Sequence, residues 1–289
     1  MYLSIRDAMI MDAGFTSLAE GLNTIGLNAF ELAVSHQMTA MRIDGGAAPD
    51  AVLGNDASVV AFKRSLASAG VRVSALLLVT DFGHADRDGE IAWVTRCAEL
   101  ARALGADSVR LDAVVGDPDA PRDNRLALFT NSVKRLISET ESLGTQFGIE
   151  NHGEEGNDPA FLQTIIDGVG SPRLGMTLDI GNFYWSGKPL REVHDIIRRF
   201  APLTKHAHMK NIGYPAEARQ KNREPGWRYG DCCCTLAEGD IDVAQVIADL
   251  RSVEYASDLC IENESLGRYD EAERQAILER DASYLKELL

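Results

Sequence analysis

Residues 147–153 read FGIENHG, an apolar run that stops in a carboxylate, an amide and an imidazole. Side chains of a β-strand alternate between faces, so Glu150 and His152 project to one side and Asn151 to the other. Three later stretches repeat the pattern: LGMTLDIGN (174–182) runs into Asp179, KHAHMKN (205–211) carries His208, and DLCIENE (258–264) reaches Glu262. From 150 to 179 and from 179 to 208 the step is 29 residues, and from 208 to 262 it is 54. A strand, a helix and their loops take about 25 to 35 residues, the size of a βαβ unit. Four successive strand ends therefore each offer one metal-ligating side chain, with an insertion before the last.

The same unit extends to the N-terminal half. Tyr2–Arg6, Asn28–Ala33, VRVSALLLV (71–79) and Ser108–Ala113 read as strands, the third nearly all apolar, as for a strand covered on both faces. Helical spacing and capping signals predict helices over Phe15–Ile25 behind Thr16 and Ser17, 57–69 behind Asp56, and 91–104. Further helices are expected over Asn124–Leu143, Pro159–Val169 behind Asp158, Leu190–Phe200, Val243–Leu250 and Asp270–Leu289. Eight strands, each followed by a helix, predict an α/β chain forming a single (β/α)8 barrel over 1–289, with an active-site insertion near 213–238. The open doubly wound alternative calls for a glycine-rich turn after the first strand, and none is present.

Charge and composition exclude other classes. A formal charge of −15 opposes binding to a phosphate backbone, which relies on Lys and Arg displacing counterions. No apolar tract is long enough for a bilayer, and Arg6 and Asp7 fall where a secretory leader needs an apolar centre. The reading is a cytoplasmic enzyme with no nucleic-acid and no membrane partner. Cys97 and Cys260 lie in apolar runs and read as buried hydrophobes. Cys232, Cys233 and Cys234 are consecutive, so alternating side-chain directions keep the three thiols from one ion, and these three are expected reduced.

Glu150, Asp179, His208 and Glu262 form a set of three carboxylates and one imidazole. Hard oxygen ligands favour hard cations, so one divalent metal ion is expected, Mn²⁺ first, with Mg²⁺, Co²⁺ and Zn²⁺ compatible. His152 shares a face with Glu150, and His206 and Lys210 share one with His208; each is a candidate to touch substrate or to support a ligand. Glu264 reads as a solvated loop carboxylate. The insertion carries Arg219, Lys221, Arg223 and Arg228 interleaved with Trp227 and Tyr229. This points to a lid from which Arg228 meets an anionic substrate group.

GIENHG (148–153), LDIGN (178–182), HAHMKN (206–211), EGDID (238–242) and the strand-final IE (261–262) together resemble the xylose isomerase-like superfamily of sugar phosphate isomerases and epimerases, over nearly the whole chain. The resemblance implies that Glu150, Asp179, His208 and Glu262 hold one divalent metal. It also implies that Glu150 and Glu262 are the acid/base pair of an isomerase or epimerase acting on a carbohydrate, a sugar phosphate or a keto-polyol through an enediolate. Several epimerases of this family have His three residues after the metal-binding Asp; here Asn182 stands there, able to orient a substrate hydroxyl but not to act as a base. A lyase or dehydratase on the same substrates is the alternative. An apurinic endonuclease would need further ligands, for which His36 and His84 are the only hints, and a non-catalytic sugar-binding subunit is the remaining class. Association into a homo-oligomer is left open.

Overall fold

The computed structural model describes residues 1–45, 50–114, 116 and 119–289. Eight parallel strands close on themselves in chain order: β1 (Tyr2–Arg6), β2 (Ala29–Ala33), β3 (Arg72–Leu77), β4 (Ser108–Leu111), β5 (Gln146–Glu150), β6 (Leu174–Asp179), β7 (Thr204–Met209) and β8 (Asp258–Ile261). Closure is made by β1 pairing with both β2 and β8. The chain is a (β/α)8 barrel. Strand period divides each strand between two environments. Leu3 and Ile5 of β1, and Ala207 and Met209 of β7, are buried under the helices. The alternate residues Ser4, Arg6, His206 and His208 point inward, where they meet polar partners from other strands.

The outer helices follow from one-sided patterning. In Leu190–Phe200, Val193, Ile197 and Phe200 are fully buried while Arg191, Glu192 and Arg199 face out. Each such buried side chain stabilises by roughly 1.5–3 kcal/mol. Helix starts differ in detail from expectation. Ser17 caps Leu18–Ile25 by accepting from Glu20 N. Asn55, not Asp56, caps Asp56–Ala69, because its side chain and that of Ser58 satisfy each other's backbone amides. A short helix, Asp7–Asp12, follows β1 directly. The predicted helix to Leu143 ends at Glu139 and continues as a 3-10 turn, Glu141–Leu143. The third strand stops at Leu77 rather than Val79.

The insertion after β7 is folded down rather than free. Asn211–Ile212 pairs antiparallel with Cys233–Cys234. Asp240 of the EGDID string accepts from the Tyr184 hydroxyl (2.9 Å) and Tyr214 N (2.8 Å) and pairs with Arg219 (2.9 Å). Arg223 lies over the rings of Tyr184 and Tyr214 and donates to the carbonyls of Ala218, Lys221, Tyr184 and Lys188. No described helix is long and apolar enough to cross a membrane.

Candidate metal centre

Glu150, Asp179, His208 and Glu262 stand at the C-terminal ends of β5 to β8, the rim where chemistry is placed in this fold. One donor atom from each lies within 4.8 Å of the others, and all four residues are buried. His208 Nδ1 is 3.3 Å from Glu150 Oε1, 3.3 Å from Glu262 Oε2 and 4.0 Å from Asp179 Oδ2. Ligands about 2.1 Å from one cation are separated by roughly 3 to 4.2 Å, so the spacing fits a single ion.

Local structure aims these atoms. Asn151 points away from the site, as strand alternation requires, and exchanges two 2.8 Å hydrogen bonds with the backbone of Asp179, fastening the end of β5 to that of β6. Asp179 Oδ1 accepts from the amides of Gly181 (2.7 Å) and Asn182 (2.9 Å). Its Oδ2 is buried and ion-paired with Lys210 Nζ at 2.9 Å. The turn needs glycine at 181, since a Cβ there would sit 2.6 Å from Lys210 Cγ. A carboxylate oxygen of Asp179 together with two glutamates and an imidazole is a donor set that suits a divalent cation.

Each glutamate has its own arginine. Arg110 donates to Glu150 Oε2 through Nε (2.5 Å) and Nη2, and also reaches Asp112 and Leu78 O. Arg6 Nη1 is 2.5 Å from Glu262 Oε1. Burial alone would raise both carboxyls. Arg110 and His208 instead hold Glu150 well below its ordinary range, and Lys210 and His208 do the same for Glu262. Asp179 goes the other way: burial pushes it up to about 7, Lys210 opposing and Glu262 and Glu150 reinforcing. Burial depresses His208, but Glu31, Glu262 and Glu150 outweigh it and raise the imidazole well above its usual value.

Beneath the rim lies a second polar layer. His206 is fully enclosed, with Nδ1 2.7 Å from Asp258 and Nε2 3.0 Å from Glu31 Oε1. Glu31 Oε2 takes His208 Nε2 at 2.9 Å. His206 thus supports Glu31 rather than facing a ligand. His152 is half exposed at the rim beside Asp112 (3.0 Å), and Asn182 donates to Glu150 Oε1 at 3.3 Å. Lys210 meets Asp179, Glu262 and Glu264. Glu264 is not a free loop carboxylate, since it is tied to Lys210 and to the Tyr229 hydroxyl. Arg228, expected to reach substrate, is turned to Asp231 (3.3 Å) and the Trp227 ring; the insertion residue that reaches the site is its neighbour Tyr229.

Sequence reasoning left Glu31, Arg6, Arg110 and Asp112 without roles. Their signal was a charge inside an apolar strand. His36 bonds Glu90 (2.8 Å) and His84 accepts from Asp86 N (3.1 Å); neither joins a ligand group among the described residues. All five cysteines are free thiols.

The model of the xylose isomerase-like TIM barrel family matches residues 20–288. Among curated proteins, the 3-oxo-isoapionate decarboxylase of Pectobacterium atrosepticum is 26% identical over 150 residues, 52% of this chain and 49% of that protein. The chain spans about half the length of the curated relatives it matches. Among solved structures, the IOLI protein with a bound zinc atom superposes with a TM-score of 0.72 at 13% identity, covering 99% of this chain and 98% of the other. An L-ribulose 3-epimerase superposes at 0.70 and 16% identity, covering 100% and 95%.

Proposed function

We propose, for a chain that belongs to the xylose isomerase-like TIM barrel family, that Glu150, Asp179, His208 and Glu262 hold one divalent cation, Mn²⁺ by preference. On this reading the site isomerises or epimerises a small sugar, sugar phosphate or keto-polyol. The observation that carries it is the convergence of these four donors from four strand ends within 4.8 Å. Bound there, the cation would polarise a carbonyl and stabilise the negative charge left when the neighbouring C–H loses its proton. Glu150 and Glu262 each turn one oxygen toward the cluster, Oε1 and Oε2 respectively, and would take up and return that proton through the other, Oε2 of Glu150 and Oε1 of Glu262. Asn182, beside Glu150, would orient a hydroxyl, and Lys210 would face the developing oxyanion. Tyr229 and Glu264, linked over the insertion, would limit water entry.

Conversion of a ketose panel to isobaric products, with solvent deuterium entering the carbon next to the carbonyl, tests this. Activity should vanish with chelator and return with Mn²⁺. Metal binding without turnover or exchange on any member would reject it.

A lyase is the second reading, and the arginines favour it. Arg110 and Arg6 occupy the outer oxygens of both glutamates, and Arg110 at Glu150, with Lys210 and His208 at Glu262, keeps the pair weakly basic. That suits a reaction in which CO₂ or a β-hydroxyl departs better than one needing two proton carriers on opposite faces. The decarboxylase relative is in line with it. A product lighter than substrate by water or by CO₂ separates the two.

A further inference from the structure

The last helix, Glu271–Leu288, buries Ile277, Leu278, Ala282 and Leu285 along one side, and in the middle of that apolar stripe it buries Asp281 as well. A carboxylate so placed costs stability unless its oxygens are met. Here they go to two separate segments: Oδ1 accepts from Leu236 N (2.9 Å) and Oδ2 from Asn263 Nδ2 (2.6 Å). Burial pushes Asp281 up to about 6 against the Leu236 amide and Asn263, so at neutral pH both oxygens accept and neither donates.

Both segments border the metal centre. Asn263 follows Glu262 directly, and its Oδ1 accepts from the amide (2.9 Å) and the hydroxyl of Ser265. That side-chain turn bends the chain across Glu264, so that Glu262 and Glu264 both meet Lys210, at 3.2 and 3.3 Å. Leu236 passes its carbonyl to Asn211 Nδ2 (2.9 Å), and Asn211 follows Lys210 just past β7. A Cβ on Gly239 of the EGDID string would collide with the Asn211 side chain, so glycine is required there. Asp281 thus reaches the loop after β8 directly and the end of β7 through Leu236. Asn211, Leu236, Asn263 and Ser265 are all buried, so a partner lost from this chain leaves its counterpart unsatisfied.

We infer that Asp281 is a positioning residue of the metal centre: from the outer helix it fixes the loop carrying Glu262 and Glu264 against the strand end carrying His208 and Lys210. The inference deepens the proposed function and rests on it for the cation that these side chains hold.

The test takes the purified full chain near neutral pH, with Mn²⁺ affinity read by electron paramagnetic resonance titration and amide hydrogen exchange over residues 261–266 read by mass spectrometry without metal. Asp281→Asn keeps the shape of the side chain but leaves one of its two N–H partners facing another N–H. It should weaken Mn²⁺ binding about tenfold and speed exchange of the Ser265 amide about tenfold, with the circular dichroism spectrum retained. Adding Asn263→Asp lets donor and acceptor trade places across the same contact, and both readings should return to within about threefold of the unaltered chain. A purely structural role would lower the urea midpoint and leave the affinity where it was. If Asp281→Asn does not fold, Asn263→Ala, which breaks the contact from the other side, decides by the same readings. Unchanged affinity in the variants overturns the positioning role whether or not exchange quickens, and so does an exchanged pair no better than Asp281→Asn alone. Absence of Mn²⁺ binding by the unaltered chain removes the metal reading instead; the hold of Asp281 on the loop then stands if exchange quickens in the variants and falls if it does not.

Discussion

His208 donates from Nε2 to Glu31 Oε2 at 2.9 Å and so turns Nδ1 toward Glu150 and Glu262, each 3.3 Å away. The carboxylate fixes both the tautomer and the ring plane of a side chain proposed to bind metal. Glu31 holds His206 with its other oxygen, so one residue of β2 orders two of β7. An amide cannot accept from both rings with two oxygens. Glu31→Gln should therefore weaken Mn²⁺ binding by about 10–100-fold, read by electron paramagnetic resonance titration, with the circular dichroism spectrum retained. Undiminished affinity would deny Glu31 this role.

The second prediction concerns Arg110, which is buried against Glu150 and Asp112. Removing one partner of a buried pair strands the other's charge, at a cost of about 3–5 kcal/mol. Arg110→Met should lower urea stability by that order, and Arg110→Met with Glu150→Met should be more stable than the single arginine variant, since the Glu150 charge is then no longer stranded and Asp112 keeps His152. If the double variant is the less stable, the pair is not the source of the loss.

The strand ends were legible because burial keeps each strand apolar up to its end, so that a carboxylate or imidazole there stands out. That regularity placed Glu150, Asp179, His208 and Glu262 without any knowledge of packing, and closure of eight units then put them on one rim. Arg6 and Arg110 were not legible: each partner lies on another strand, 256 residues away for Arg6 and 40 for Arg110. An arginine in a strand carries no sign of which carboxylate it will meet. Arg228 misled for a related reason. A basic run suggests a ligand for anions, but φ near 52° at that position and the Asp231 contact turn the side chain outward, while Tyr229 turns in.

Proton release should accompany metal binding. Without metal His208 is raised well above its ordinary value and Asp179 stands at about 7, while Glu150 and Glu262 are already ionised. A cation needs these donors deprotonated. Because the metal-free protein carries the extra protons, affinity should rise with pH from 6 to 8, by up to about tenfold per unit for each proton displaced. Calorimetry in two buffers of different ionisation enthalpy reads that number directly. Equal heats in both buffers at pH 7 would mean that no proton leaves.

The insertion over the rim offers the last test, because its anchoring is concentrated in one side chain. Arg223 stacks on Tyr184 (4.6 Å) and Tyr214 (4.3 Å) while donating to four carbonyls, a combination that needs both a planar face and several fixed donors. Lysine has neither the plane nor the fork, so Arg223→Lys should resemble Arg223→Ala. In both, chymotryptic cleavage near Trp227 should accelerate by about tenfold, while the melting temperature falls by only about 2–4 °C, because the loosened segment opens without the barrel. Cleavage no faster than in the unaltered chain would mean that Asp240 and the Asn211–Cys234 pairing alone hold the insertion down.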